Sequence, residues 1–460
     1  MHQDLARRHS AFQGRIGIAR EEITPPVGIY SRNWGAAKHD TAESIHRPLA
    51  LTALTMMSSF SDQPLVLIEA DLGWWRSLEL FRQFQKRMLE ELSLDSTRFI
   101  FSLTHTHASP PLMESDPALP GNTLLSSWME GLNEAAVSVM KRALAGADEA
   151  ILDWHTGRCT LAAVRDLPDP DPTVDRMICG FNPAAKADDT LLVGRITDRS
   201  GTVRATLVNY ACHPTTLAWG NTAISPDYIG AMRETMETAT GATAFFLQGM
   251  SGDLAPKHQY VGDVEVADRH GRQLGFAALA ALNDMEPAGF QLRFDGVVES
   301  GAPLAAWRHQ SCEISTELRA VEVVADLKLK EWPTADRLEQ QRLACDDRAV
   351  EERLRRQRDI RRSLGDGASF PLMVNAWRIG DALLVGCAGE AYSQLQRDLR
   401  SRFPHLTVIC MNLINGSVGY LPPTDLYDLD VYPVWQTPFD RGCLERLANT
   451  MVAGIEELLA

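Results

Sequence analysis

The first hundred residues alternate short apolar runs with an amphipathic stretch. Residues 49–57 and 65–72 have the length and apolar content of buried strands, and residues 99–103 form a third run of this kind. Between the last two runs, residues 74–92 repeat their apolar side chains at the spacing of an amphipathic helix. Strand, helix and strand in this order predict an α/β fold.

The same alternation continues to the end of the chain. Further strands are predicted at residues 191–196, 206–210, 383–387 and 407–411, and another begins at Phe245. Helices are predicted at residues 124–145, from Ser225 as a cap, from Gly389-Glu390, and from Arg441 onward. The sequence therefore predicts mixed β-sheets flanked by helices.

One segment, at about residues 324–368, departs from this pattern. Residues 334–364 are highly charged and helical in character, with seven arginines between Arg348 and Arg362. Acidic residues such as Glu351, Glu352 and Asp359 interleave with them, which is typical of a solvated helical face and not of a nucleic-acid patch. We expect a helical insertion, serving as a lid or as a subunit contact, so a homo-oligomer stays an open alternative.

Composition limits the partners of the chain. The 460 residues are 45% hydrophobic and 23% charged, as in a soluble globular protein, and the formal net charge is −15. This acidity argues against nucleic acid and against an anionic membrane surface. No apolar run spans a bilayer, the N-terminus lacks a secretory core, and the eight cysteines are scattered singly. We expect a single cytoplasmic domain over residues 1–460.

Candidate chemistry begins where the third apolar run ends. His105 and His107 follow residues 99–103, and in an extended chain side chains two residues apart point to the same side. Neutral imidazoles on a stiff element suit a metal ion, although two polar histidines hydrogen-bonded to a loop would give the same sequence. His213 follows another strand in the same way, within Asn-Tyr-Ala-Cys-His-Pro-Thr-Thr.

Several short motifs occur in a fixed order over about residues 16–442. They read Ile-Thr-Pro-Pro, Thr-His-Thr-His-Ala-Ser-Pro, Asn-Tyr-Ala-Cys-His-Pro-Thr-Thr, Gln-Gly-Met-Ser-Gly-Asp-Leu-Ala-Pro, Ala-Gly-Glu and Gly-Ser-Val-Gly-Tyr. Taken together, the set resembles the neutral (alkaline) ceramidase family, amidases that bind zinc. The resemblance implies a ceramidase-like catalytic domain over nearly the whole chain.

The resemblance also implies roles for individual residues. A single Zn²⁺ would be held by His105, His213, Glu390 and Tyr420. Substrate or oxyanion contacts would come from His107, Arg165, Tyr427 and Tyr432. Two imidazoles, a carboxylate and an open position are what hydrolytic zinc requires. On spacing alone, Glu390 would be interpreted as a helix-start carboxylate and Tyr420 as a packed loop aromatic.

Two departures from the family pattern change the expected reaction. Ceramidases carry a serine just before the proline of the Gly-Asp loop, where this chain has Ala255, so no acyl-enzyme forms at that position. Ser251 lies nearby and is the alternative nucleophile. We also expect neither the secretory leader nor the C-terminal β-sandwich of secreted ceramidases, which argues for a small soluble substrate and against a membrane lipid.

The leading hypothesis is a zinc-dependent hydrolase that cleaves an amide bond by direct attack of zinc-bound water. A second hypothesis keeps the zinc but makes the chain a lyase, an isomerase or a glycoside-cleaving enzyme on a sugar-like substrate. A third treats it as a metal-binding scaffold without catalysis. The amidohydrolase barrel, which also uses His-x-His, is disfavoured because it places that motif at its first strand, whereas about a hundred residues precede it here.

Overall fold

An eight-stranded mixed sheet carries the first half of the chain. The computed structural model describes residues 5–58 and 63–460, so the first four residues of the N-terminal stretch considered above lie outside it. The eight strands are β1 (Ser10–Glu22), β2 (Ala50–Met57), β3 (Leu65–Ala70), β4 (Phe99–Leu103), β5 (Asp148–Arg158), β6 (Thr190–Asp198), β7 (Val203–Tyr210) and β8 (Thr243–Gln248). Their order is β8-β7-β6-β5-β1-β2-β3-β4. The β7–β8 and β3–β4 pairs at the two edges are parallel, and the pairs between them are antiparallel.

A second, four-stranded sheet packs against the first. Its strands follow the order in which they occur along the chain: β9 (Leu318–Lys328), β10 (Ser369–Ile379), β11 (Ala382–Cys387) and β12 (Thr407–Met411). Phe12, Leu67 and Ile100 of the first sheet share one buried cluster with Trp377 and Leu384 of the second. The side chains of β3 alternate between this cluster and the helical layer, which explains why the strand is apolar except at Glu69.

Helices cover the outer faces of both sheets. They are α1 (Leu78–Leu92), α2 (Asn122–Ala145), α3 (Tyr228–Thr240), α4 (Val264–Asn283), α5 (Ala335–Leu343), α6 (Arg348–Leu364), α7 (Ser393–Arg402), α8 (Tyr432–Gln436) and α9 (Cys443–Leu459). Helices α1 and α2 pack on β1–β4, α3 and α4 on β6–β8, and α7 and α9 on the second sheet. The predicted class, mixed β-sheets flanked by helices, is confirmed. Among the described residues, no helix combines the length and the apolar character needed to cross a bilayer.

The remaining strands are peripheral. Ala6–Arg7, Phe290–Glu299 and Pro303–Ser311 form a three-stranded antiparallel sheet. Four short pairs join Asp166–Pro168 with Met177–Cys179, Ser44–Ile45 with Ala223–Ile224, Ala162–Val164 with Leu254–Pro256, and Glu390–Ala391 with Tyr420–Leu421. Short 3₁₀ helices occupy Ser96–Arg98 and Thr424–Asp428.

Two predicted helix starts are wrong. Helix α3 begins at Tyr228 and its cap is Asp227, whose carboxylate accepts a hydrogen bond from the Tyr228 amide at 2.6 Å, whereas Ser225 Oγ accepts from the Asp227 amide one step earlier. Glu390 opens no helix. It lies in a two-residue strand beside Tyr420, and α7 starts three residues later, at Ser393.

The charged segment lies between two strands that are paired with each other. Strands β9 and β10 are antiparallel neighbours, and α5 and α6 occupy the connection between them. The first residues of the predicted insertion, 324–328, are the end of β9. The helices break at Ala344, and Asp347 caps α6 by accepting from the amides of Ala349 and Val350. Division of the chain into domains stays a prediction.

A single loop ties together the strand ends that carry the site. Residues 412–415 follow β12, and the amide of Asn412 donates to the carbonyl of Gln248 at the end of β8, at 3.1 Å. The Leu413 carbonyl accepts from Leu103 at the end of β4, at 3.3 Å. The amide of Ile414 donates to Cys387 at the end of β11, at 3.1 Å. The carboxyl ends of three strands are therefore held at one place.

Candidate metal centre

Two imidazoles and a carboxylate meet at these strand ends. One ligand atom each from His105, His213 and Glu390 lies within 4.8 Å of the others. Nε2 of His213 is 3.0 Å from Oε2 of Glu390, and Nε2 of His105 is 3.3 Å from the same oxygen. Both histidines are buried. The three residues come from distant parts of the sequence, so only the fold brings them together.

His105 reaches the centre through a turn and not through an extended strand. Strand β4 ends at Leu103, and His105 has a φ of 73°, in the left-handed region that non-glycine residues rarely adopt. Its amide donates to the Leu72 carbonyl at 2.9 Å, and its Nδ1 donates to the Gly73 carbonyl at 3.0 Å. The expectation that an extended chain aligns His105 with His107 is therefore wrong in its geometry.

His213 is held by the loop that follows β8. Its amide donates to the Leu254 carbonyl at 2.9 Å. Its Nδ1 lies 2.6 Å from the Ser251 carbonyl and 3.2 Å from that of Leu254. The Gly-Asp loop thus orients this imidazole through its backbone. Asp253 of the same loop accepts from the Ser393 amide and hydroxyl, each at 2.7 Å, and so holds the start of α7.

Glu390 is positioned by its short strand. Its amide donates to the Gly419 carbonyl at 2.9 Å, and it lies opposite Tyr420 in the parallel pair. The sequence signal for a helix start at Gly389-Glu390 misled because the pairing partner lies 30 residues further along the chain. A carboxylate on a paired strand is more rigidly placed than one on a loop.

The donor set fits a divalent cation. A carbonyl oxygen only accepts, so the Nδ1 atom of each imidazole must carry the hydrogen, which leaves the Nε2 atoms of His105 and His213 as lone pairs. Both lone pairs face one carboxylate oxygen of Glu390, and no proton lies between the three acceptors in the neutral form. A metal ion satisfies all three, and carbonyl-bound Nδ1–H groups are the usual support for such ligands.

Burial shapes the ionisation of the same groups. Burial, followed by the charge of Arg165, lowers the pKa of His213 to about 4, which disfavours a protonated imidazole as the partner of the carboxylate. Burial opposes ionisation of Glu390, but the imidazoles of His105 and His213 together hold its pKa well below the usual range. The centre therefore offers an ionised carboxylate at Glu390 and a neutral imidazole at His213.

Tyr420 and Tyr432 lie next to the three-residue group. The ring of Tyr420 stacks on His213 with centroids 6.2 Å apart, and the Arg165 guanidinium lies 5.2 Å from the Tyr420 centroid. Burial raises the pKa of Tyr420 well above its usual value, and Arg165 opposes that shift. The Tyr432 ring lies 5.7 Å from that of Tyr420. Ligation by Tyr420 stays a prediction.

His107 is placed beside the group and not within it. Its ring centroid lies 4.8 Å from that of His105, between the indoles of Trp34 at 5.1 Å and Trp74 at 4.9 Å. Neither ring nitrogen has a hydrogen-bond partner among the described residues, although both are buried. Burial, aided by the charges of His105, His213 and Arg356, holds the pKa of His107 well below its usual value. Its role stays a prediction.

Arg165 and Tyr427, the two remaining predicted substrate contacts, lie in different surroundings. Arg165 is buried and donates from Nη2 to the Gly252 carbonyl at 2.7 Å, while its Nε has no partner among the described residues. Tyr427 is turned away, because its hydroxyl donates to the Phe439 carbonyl at 3.0 Å and it lines neither cavity described next. We find no geometric support for substrate contact by Tyr427.

Two neighbouring cavities lie beside the centre and share part of their lining. The inner cavity, of about 60 Å³, is lined among others by Trp74, Arg76, His105, Asp359, Ser363 and Glu390. The outer cavity, of about 440 Å³, is lined among others by Trp34, Arg165, Trp219, Tyr260, Arg353 and Trp435. Both are bounded by His107, Arg356, Tyr420, Tyr432 and Gln436. Helix α6 thus covers the site along its length.

The sequence left Trp34 open between surface packing and pocket lining, and gave no indication of Trp74 and Arg356 as cavity residues. Trp74 follows Gly73 directly at a strand end, which is a usable signal, but its apolar side chain also suits the helix that was predicted from residue 74. Arg356 had no signal of its own, because its sequence neighbours on α6 are charged in the same way. The expectation that the charged segment serves as a lid pointed to helix α6, but it did not single out Arg356.

Ser251 and Ala255 are both buried in the Gly-Asp loop. The Ser251 hydroxyl accepts from Nε2 of Gln248 at 2.6 Å, and its carbonyl is occupied by His213. Ala255 pairs with Ala163 in a short antiparallel bridge. The serine hydroxyl is thus tied to the strand end of β8.

Comparison with known proteins gives a structural match only. No protein-family model and no curated protein sequence matches the chain. Two solved structures superpose on 98% of it with a TM-score of 0.68: a ceramidase complexed with C2, at 15% identity over 76% of that chain, and the neutral ceramidase from Pseudomonas aeruginosa, at 16% identity over 75% of that chain. The resemblance indicated by the ordered motifs is confirmed at the level of architecture: this chain has the fold of the neutral ceramidases.

Proposed function

We propose that the chain is a metal-dependent hydrolase that cleaves an amide C–N bond of a small substrate, with zinc held by His105, His213 and Glu390. The observation that carries this proposal is the meeting of two imidazole lone pairs and one carboxylate oxygen with no proton between them. The neutral ceramidase fold supports amide cleavage as the reaction.

A divalent cation held in this way polarises a carbonyl oxygen and acidifies a bound water. The contribution of the chain is to orient the donors. The Gly73 and Ser251 carbonyls fix the imidazoles through Nδ1, so that each Nε2 faces the centre. We assign the fourth ligand to Tyr420, because its strand pairs with Glu390 and its ring stacks on His213.

We assign charge stabilisation on the substrate carbonyl to His107 and Arg165. Both side chains line the outer cavity, and each has a buried nitrogen without a partner in the described part of the chain. A neutral imidazole carries one N–H, and a guanidinium always donates, so each offers a hydrogen to an oxygen that gains negative charge. Donors already fixed in a water-poor pocket stabilise such charge without reorganising.

The Gly-Asp loop supports direct attack by water on the amide carbonyl. The methyl group of Ala255 offers no nucleophile. The Ser251 hydroxyl is engaged by Gln248, and its own backbone orients a histidine of the centre. A reaction without an acyl-enzyme shows no burst of the first product and transfers no acyl group to added amines.

The test is elemental analysis of the purified protein and its variants. We expect about one zinc per chain in the wild type, large losses in His105→Ala and His213→Ala, and a smaller loss in Tyr420→Phe. His258→Ala, at an exposed histidine that lines neither cavity, is the matched control. A full equivalent of metal in both of the first two variants would contradict the assignment.

Reaction in isotopically labelled water then separates hydrolysis from the other zinc chemistries. A hydrolase must place one solvent oxygen in its carboxylate product, whereas a lyase or isomerase need not incorporate any. A product free of labelled oxygen, from an enzyme that needs its metal, would favour the lyase or isomerase hypothesis.

A further inference from the structure

The ion pairs around helix α6 form one connected, buried network with unequal charges. Within the described residues, six arginines take part: Arg32, Arg76, Arg342, Arg355, Arg356 and Arg358. Their acidic partners are four carboxylates of α5 and α6, and no side chain of the network is more than 24% exposed. The network therefore holds two surplus positive charges, which is unfavourable unless an anion joins it.

Arg76 carries part of this surplus in the wall of the inner cavity. Its side chain is 3% exposed and its Nη2 donates to the Arg32 carbonyl at 3.1 Å and approaches Glu352 at 3.3 Å. Its Nε and Nη1 atoms have no partner among the described residues. Leaving two nitrogen atoms of a buried guanidinium unpaired costs considerable free energy, so this geometry indicates an acceptor from outside the chain.

Arg356, on α6, lines the same cavity. Its Nε donates to Glu352 at 3.2 Å, its Nη2 donates to the Asn33 carbonyl, and its guanidinium lies 5.0 Å from the Trp74 ring. Its Nη1 donates to no described residue. Arg76 lies 5.9 Å from the same indole. Trp74 thus brings two guanidiniums with free donors to one small cavity.

Glu352 does not neutralise the pair. It is a single carboxylate among Arg76, Arg355 and Arg356. Burial opposes its ionisation, yet these arginines lower its pKa, so its one negative charge is already present. One of its oxygens contacts both Arg76 and Arg356, and their remaining donors stay available.

We propose that the substrate is an amide that carries a carboxylate, as an N-acyl amino acid does, and that this carboxylate binds Arg76 and Arg356 in the inner cavity. The rest of the substrate lies in the larger outer cavity, which Trp34 and Trp219 line. The proposal rests on the proposed amide hydrolysis and adds the charge of the substrate. An apolar chain in the inner cavity would leave the free N–H groups unpaired.

The kinetic test compares two substrates that differ only in charge. N-acetyl-phenylalanine and N-acetyl-phenylalaninamide are assayed by release of acetate. We expect the wild type to prefer the carboxylate, and Arg356→Gln to lower kcat/KM for it by about 10- to 100-fold, mainly through KM, because one charge-assisted contact is lost. The neutral amide should lose clearly less, so the ratio of the two kcat/KM values should fall.

Two further variants make this result specific. Arg356→Lys keeps the charge and should retain part of the preference, since a lysine cannot form the same planar contact. Arg362→Gln removes an exposed arginine of the same helix that lines neither cavity, and should leave both substrates unaffected. Thermal midpoints for all three variants exclude loss of folding as the cause.

A binding measurement separates this inference from the proposed reaction. Zinc-loaded wild type and Arg356→Gln are titrated calorimetrically with 3-phenylpropanoate and with 3-phenylpropanamide. We expect the wild type to bind 3-phenylpropanoate at least about tenfold more tightly than 3-phenylpropanamide. Arg356→Gln should lack this preference. If neither N-acetyl-phenylalanine nor N-acetyl-phenylalaninamide is hydrolysed but this difference in binding holds, the hydrolase proposal fails and the carboxylate site stands. If hydrolysis and binding ignore both the charge and Arg356, the carboxylate site is wrong.

Discussion

The two sides of the cavity are built by different means. On one side, loops at strand ends carry His105, His213 and Glu390, and backbone hydrogen bonds fix each of them. On the other side, α6 is held by ion pairs between long side chains. Backbone contacts allow one geometry for a metal ligand, whereas the guanidiniums of the network present positive charge and free donors to a substrate. The first side therefore suits the placement of a metal ion, and the second suits selection among substrates.

The largest effect should follow from removing a donor on the strand-end side. We expect Glu390→Ala to lose the metal and to lower kcat/KM by at least about 1,000-fold, because metal-ion chemistry supplies several kcal/mol of transition-state stabilisation. Elemental analysis and steady-state rates measure both. Glu457→Ala, at an exposed glutamate of α9, is the control. If Glu390→Ala keeps both its metal and its kcat/KM, the strand-end side does not hold the catalytic metal.

Breaking the helical side should act on stability first. Glu352→Gln leaves Arg76, Arg355 and Arg356 without their shared carboxylate, and we expect the free energy of unfolding to fall by about 3 kcal/mol. Denaturant titration measures the loss. Glu79→Gln, whose exposed ion pair with Arg82 is 3.7 Å long, should change it by less than about 0.5 kcal/mol. Equal losses in the two variants would show that the buried network does not hold α6.

The same contrast explains what the sequence could predict. Strands and helices with strong periodicity were predictable: α1 was expected at residues 74–92 and lies at Leu78–Leu92, and α2 was expected at 124–145 and lies at Asn122–Ala145. These elements depend on local spacing of apolar side chains. The stacking of the second sheet on the first was not predictable, since it depends on contacts between residues hundreds of positions apart.

For the candidate site, short motifs pointed to residues but not to their geometry. The motifs indicated His105, His213 and Glu390, and the structure brings these three together. The left-handed backbone of His105 and the strand pairing of Glu390 depend on partners outside the motifs, so local rules gave the wrong conformation. Arg356 carries no motif at all. Residues held by ion pairs on a charged helix resemble their solvated neighbours in sequence.

Acid should loosen the helical side in a defined direction. Hydrogen bonding from Arg342, with a further contribution from Arg358, lowers the pKa of Glu339 from 4.5 to about 2, although partial burial opposes this. A carboxylate with a depressed pKa stabilises the fold above its unfolded pKa, and this contribution disappears as the pH falls from about 4.5 toward 2. The stability difference between wild type and Glu339→Gln should therefore shrink from pH 6 to pH 3. A difference that stays constant or grows would show that these pairs do not link α5 to α6.

The smallest effect on activity is expected at Ser251, which contacts the candidate metal centre only through its backbone carbonyl. Ser251 holds His213 through its carbonyl, which Ser251→Ala retains, while the lost hydroxyl accepted only from Gln248. Nε2 of Gln248 keeps its bond to the Cys212 carbonyl at 3.1 Å, so we expect a stability loss of about 1 kcal/mol, the usual net value of one hydrogen bond. Turnover should stay within about twofold of wild type, because no proposed step uses the hydroxyl.

Rapid-quench kinetics should show no burst, and mass spectrometry of the quenched reaction should find no acyl group on the protein. An acyl adduct on Ser251, together with an inactive Ser251→Ala, would instead make this serine the nucleophile and would give the Gly-Asp loop a chemical role of its own.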